Sequence, residues 1–121
     1  MHTPIFRSGL LCLSLLLMAT DATGIAAASN PPNGKDIYNQ SCAACHGANG
    51  KGTIPGVPDF TAKDGVLSNP DKLLIDRAMN GYQGPESPMA MPPKGGNSSL
   101  SREDILAVIA YVRRAFGAHP K

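Results

Sequence analysis

Apolar residues recur at helical spacing in three separate stretches of the chain, with Gly- and Pro-rich segments between them. In the first, Ile37, Tyr38, Ser41, Cys42 and Cys45 fall on or near one face. The stiff "NPPN" segment before it ends at Asn33, whose side-chain oxygen suits a helix N-cap, so a helix is predicted to start there. In the second, Leu74, Ile75, Ala78 and Met79 make the buried stripe; Asn69-Pro70 opens it, with Pro70 in the first turn, and Asn80-Gly81 closes it. The third carries Ile105, Ile109, Val112 and Phe116. It begins at Ser101, which forms a capping-box pattern with Asp104, and Arg113 and Arg114 suit its negative C-terminal end.

Residues 47–68 and 81–99 are too rich in turn formers for long regular elements and read as irregular loops. No stretch alternates like a strand and no internal repeat is present. The fold class is therefore all-α, three main helices with long loops.

The N-terminus has a different character. Arg7 precedes an apolar run from Leu10 to Met18, Asp21 and Thr23 break the run soon after Met18, and "IAAAS" offers a small-residue cleavage pattern. Residues 1–28 are read as a cleavable secretory signal and 29–121 as the domain; a retained tether is the alternative, although a spanning helix needs about 20 apolar residues. Cys12 falls inside the signal, and a lipoprotein reading of it is disfavoured because Leu11 is not small and the apolar run lies after it.

The remaining domain has a thin core. It has no Trp, and its aromatics are Tyr38, Phe60, Tyr82, Tyr111 and Phe116, so a large buried cofactor would help it fold. Charge is nearly balanced, 11 Lys and Arg against 9 Asp and Glu, which gives no argument for nucleic acid.

The segment "SCAACHGANGKG" carries the chemistry. Cysteines at i and i+3 on a helix project to one side, as two thioether bonds to one flat macrocycle require, and His46 comes directly after them. C-x-x-C-H is the attachment pattern of c-type haem, and it calls for an exported protein. It predicts one covalent haem c with its iron, held through Cys42 and Cys45. Two plainer readings stay open: a redox dithiol, which needs a βαβ context not found here, and half of a zinc site, for which the domain offers only His46 and His119 besides.

Three segments resemble the class I monohaem c-type cytochromes, particularly the small bacterial c5-like members: "GKDIYNQSCAACHG" their first helix, "ILAVIAYVRRA" their last, and "AMPPKGG" their sixth-ligand loop. The resemblance implies a cytochrome c fold wrapped around one haem. Gly34 would let the last helix cross closely, with Tyr38 packed at the crossing and Tyr111 matching the last helix's aromatic. His46 is implied as the proximal iron ligand and a methionine as the distal one. Met91 is taken over Met89 because it precedes Pro92-Pro93, whose stiffness presents the thioether. Met79 reads as packing. A proline carbonyl is implied as partner of the second His46 nitrogen; Pro58 is taken over Pro55. Tyr82 and Lys94 flank the ligand loop, and Lys35, Lys63, Lys72 and Lys94 are candidates for a cationic ring that docks an acidic partner.

The function expected is a periplasmic one-electron carrier, or the small cytochrome subunit of an oxidoreductase. It would pass electrons between a dehydrogenase or quinol-oxidising complex and a terminal oxidase or reductase, with no stable membrane insertion once the signal is cleaved. A carrier needs no catalytic acid, base or nucleophile, and none stands out. The alternative is a haem enzyme or a gas or redox sensor with a labile or open sixth iron site, which needs a distal polar group; the absence of a spare histidine outside the tail counts against it.

Overall fold

The computed structural model describes residues 30–85 and 87–117. The segment read as a signal, with Cys12, and His119 in the tail lie outside these residues. Asn33 is extended and its side-chain oxygen accepts from the N–H groups of Lys35 and Asp36, so α1 runs Gly34–Ser41. Continuous helix was expected through the cysteines, but the chain breaks at Cys42 (φ −120°) and resumes as α2, Ala43–His46. Cys42 still accepts from the N–H groups of Cys45 and His46, which keeps the C-x-x-C-H segment one compact turn. Gly47, at φ 81°, ends it.

An irregular stretch leads to a single 3-10 turn at Val66–Ser68, then α3, Asp71–Asn80. Pro70 is the extended cap residue just before α3, one position earlier than expected; its φ of −61° and ψ of 149° direct the chain into the helix from outside. After a second loop, α4 spans Arg102–Phe116 and opens with the predicted capping box, in which Ser101 and Asp104 satisfy each other's backbone N–H groups.

The core forms where α1 crosses α4. Gly34 is buried there, and a Cβ on it would run into the Ala107 carbonyl, so the two backbones meet directly. Tyr38, 1 % exposed, sits beside the crossing with its ring centroid 5.5 Å from those of Tyr111 and Phe116. It packs with Leu67, Leu74, Val108 and Val112. A second cluster of Ala78, Leu100 and Ile105 gathers Met79 and Met91. Val108 joins the predicted α4 stripe, while Ile109 and Phe116 lie at its half-buried margin.

Arg113 does more than offset the helix dipole. Its Nε pairs with Asp71, and its Nη1 and Nη2 each donate at 2.7 Å, to the carbonyls of Leu67 and Asn69. That fixes the start of α3 against the end of α4. Among the described residues the one β-type contact is an isolated Tyr82–Met91 bridge, and no helix is long and apolar enough to cross a membrane.

Candidate functional site

A cavity of 530 Å³ opens between the α1–α2 segment, the inner faces of α3 and α4, and the loop after α3. That lies within the usual range for small-molecule sites. Cys42, Cys45, His46, Met91 and Pro58 all line it, together with Met89; Pro55 does not. The lining is largely apolar. Among the described residues its charged members are Arg77 and Lys94, and no carboxylate reaches it.

Cys42 and Cys45 are free, half-buried thiols on one wall. Burial, with Cys45 nearby adding to it, pushes the Cys42 thiol up to about 11. A redox dithiol needs the opposite shift, so the pair is poorly suited to disulfide exchange. Among the described residues, no three His, Cys, Asp or Glu side chains come together as a metal-holding group.

His46 is placed by α2 and stacked on Phe60, with ring centroids 4.6 Å apart and planes 12° from parallel. Phe60 is itself held by its N–H, which donates to the Gly50 carbonyl at 2.7 Å, and by stacking on Phe116. Burial lowers the pKa of His46, which favours the neutral imidazole that metals bind. Its Nδ1 is buried with no hydrogen-bond partner, so the proline carbonyl expected there is not bonded to it, although Pro58 is at the cavity wall. Below the cysteines, the Tyr38 hydroxyl donates to the Gly47 carbonyl at 2.7 Å and anchors the turn after His46.

The opposite wall is loop. Pro92 is extended, and Lys94 and Gly95 both take left-handed conformations (φ 54° and 64°) that fold the chain back. A Cβ on Gly95 would collide with the Ser41 carbonyl, so this turn lies directly on the end of α1. Met91 is bonded both ways to Tyr82: Tyr82 N–H donates to its carbonyl at 3.0 Å and Met91 N–H donates back at 2.8 Å. Its side chain packs on the Ala78–Leu100–Ile105 cluster, whereas Met89 is 54 % exposed. Of the four lysines considered for a docking ring, only Lys94 lines the cavity. Tyr82 is at the rim, with the Arg77 guanidinium 3.8 Å above its ring.

Phe60 and Arg77 are the site residues that sequence reasoning missed. Phe60 had one usable signal: a lone aromatic within a Gly- and Pro-rich loop, in a domain short of aromatics, has to bury itself against something. Arg77 had none, because its partner Tyr82 lies beyond the helix end.

The donor set fits an iron porphyrin. It offers two neighbouring thiols, a neutral imidazole and a thioether around an apolar space, with no carboxylate among the described lining residues. Comparison with known proteins agrees. The family model described as "Cytochrome c" matches residues 32–115. The chain is 32 % identical over 107 residues to cytochrome c-555 of Chlorobaculum tepidum, covering 88 % of this chain and 93 % of that one. It is 39 % identical over 88 residues to cytochrome c6 of Pyropia yezoensis, covering 73 % and 74 %. A lupanine 17-hydroxylase [cytochrome c] of Pseudomonas sp is 33 % identical over 82 residues, which are 66 % of this chain and 10 % of that one.

Proposed function

The chain belongs to the cytochrome c family, as a small class I monohaem member with the all-α fold of that family, and from that premise we propose a periplasmic one-electron carrier with His46 and Met91 as axial ligands. Residues 1–28 are its export signal, and Cys42 and Cys45 hold the haem covalently. The observation that carries the ligand assignment is the contrast between the two loop methionines. Met91 is fixed by two backbone bonds and packed on the core, while Met89 is mostly exposed.

Bound haem supplies a one-electron iron couple. The protein's residues decide how that couple behaves. The thioether of Met91 is a soft ligand that favours the reduced state, and by occupying the sixth position it discourages O₂ chemistry. His46, held in plane by Phe60, keeps its imidazole neutral for ligation. The apolar lining excludes water, so little solvent reorganises when the charge at the centre changes.

Partners are expected among redox proteins that meet the cavity mouth. The Pseudomonas relative, a hydroxylase of which a region like this chain is about a tenth, supports an oxidoreductase as partner. The test is the optical spectrum of the exported protein in both oxidation states. Covalent haem c, with a weak long-wavelength sulfur-to-ferric-iron band that Met91→Ala removes and Met89→Ala leaves, is the expected result. Haem without that band, together with ready CO binding, would overturn the ligand assignment and favour an open-site enzyme or sensor.

A further inference from the structure

With the Met91 thioether as distal ligand, the question left is what keeps it there. Its segment hangs on Tyr82 through two backbone hydrogen bonds. Between these two residues the described hydrogen bonds are local ones: Gln83 to the Ser87 carbonyl, the Ser87 N–H to Gly84, the Ser87 hydroxyl to the Met89 carbonyl, and the Met89 N–H to the Ser87 hydroxyl. On its Met91 side the loop is seated by the core cluster and by the Gly95 turn against Ser41, and at its other end by whatever holds Tyr82. That residue is 41 % exposed, and its ring is covered on one face by Arg77 at 3.8 Å.

Arg77 stands in the last turn of α3, next to Ala78. Ala78 is buried in the cluster on which Met91 packs. One helical turn thus provides both the apolar seat of Met91 and the cation that covers Tyr82, the residue bridged to it. Gly81 completes the geometry: at φ 80° it turns the chain from α3 into Tyr82, and a Cβ there would lie 2.8 Å from the Met91 carbonyl.

We infer that the Arg77–Tyr82 stack is a latch that sets how readily Met91 leaves the sixth iron position, and hence how accessible that position is to small exogenous ligands. Arg77 lines the cavity, and its proposed role is that of a positioning residue, acting on Met91 through Tyr82. The inference rests on the Met91 assignment. Its strength is read by competition, because an incoming ligand binds only the fraction of molecules in which Met91 has let go.

The experiment is a cyanide titration of the ferric holoprotein, followed through loss of the sulfur-to-iron band, alongside denaturant unfolding of the same variants. Arg77→Met and Tyr82→Leu are each expected to raise cyanide affinity about two- to fivefold, the size of one exposed cation–π contact. Tyr82→Phe keeps the ring and should bind cyanide as the wild type does. Arg113→Gln breaks the clamp on the far side of α3. It should lower the unfolding midpoint and leave cyanide affinity unchanged.

The latch is overturned if Arg77→Met and Tyr82→Leu leave cyanide affinity where it was. It is equally overturned if Arg113→Gln raises that affinity as much, since general loosening would then account for the effect. A wild type that lacks the band and binds cyanide as tightly as Met91→Ala removes the ligand assignment first, and the latch with it.

Discussion

On the His46 side of the cavity the chain is held by side chains and by two helices in backbone contact: Gly34 against Ala107, Tyr38 buried between Tyr111 and Phe116, and Phe60 stacked on the imidazole. On the Met91 side no helix carries the residue. Its position comes from a two-bond bridge, two prolines, left-handed turn residues, an exposed cation–aromatic stack and the margin of the Ala78–Leu100–Ile105 cluster. The first arrangement can open only if the core opens. The second can open by moving a loop, which costs far less because few apolar contacts break. Within the proposed His/Met ligation, the proximal ligand is accordingly as stable as the fold, and the distal one is only as stable as its segment.

The largest effect should come from breaking the helix crossing. Gly34→Ala places a methyl group against the Ala107 carbonyl, and neither backbone can yield without parting α1 from α4. A loss of about 3 kcal/mol is expected, seen as a lower denaturant midpoint of the holoprotein. Unchanged stability would show that the crossing has slack. A smaller effect on the same wall is expected from Tyr38→Phe. The ring stays, but the Gly47 carbonyl loses its buried donor, at about 1–2 kcal/mol.

That variant also has a pH signature. Burial, the largest cause, pushes the Tyr38 phenol from 10.0 up to about 12. The folded state therefore keeps a proton that the unfolded chain gives up sooner. The stability this contributes is fully present below pH 10 and is lost as pH rises through about 12. Tyr38→Phe should flatten the alkaline limb of a stability–pH curve, and an unaltered limb would mean that other groups set it.

The same division explains what could be read in the sequence. Asn33, the Ser101–Asp104 box and C-x-x-C-H are local patterns in which each residue's partner lies within four positions, so composition and spacing expose them. The helix crossing was legible through resemblance at Gly34 and Tyr38. The break at Cys42 was not, because the periodicity of apolar residues passes through it undisturbed. The loop that carries Met91 was legible only as Met-Pro-Pro. Its bridge to Tyr82, the Arg77 stack and Arg113's three contacts across the start of α3 join residues with no periodic relation. Phe60 reached His46 in the same non-local way, across a loop without a repeating pattern.

The finest test of the comparison is Gly81→Ala. Gly81 sits between the two regimes, at the end of α3 and the start of the loop, with φ 80° and the Met91 carbonyl 2.8 Å from where a Cβ would stand. An alanine there is strained in backbone and crowded by that carbonyl, so about 1 kcal/mol is at stake. A core position would return that amount as a lower unfolding midpoint. Here the cheapest relief is to move Tyr82 and Met91 apart, so the unfolding midpoint should barely change while the sulfur-to-iron band weakens at lower temperature than in the wild type. If the midpoint falls and the band persists up to unfolding, the Met91 segment belongs to the cooperative core after all, and the two walls of the cavity stand or fall together.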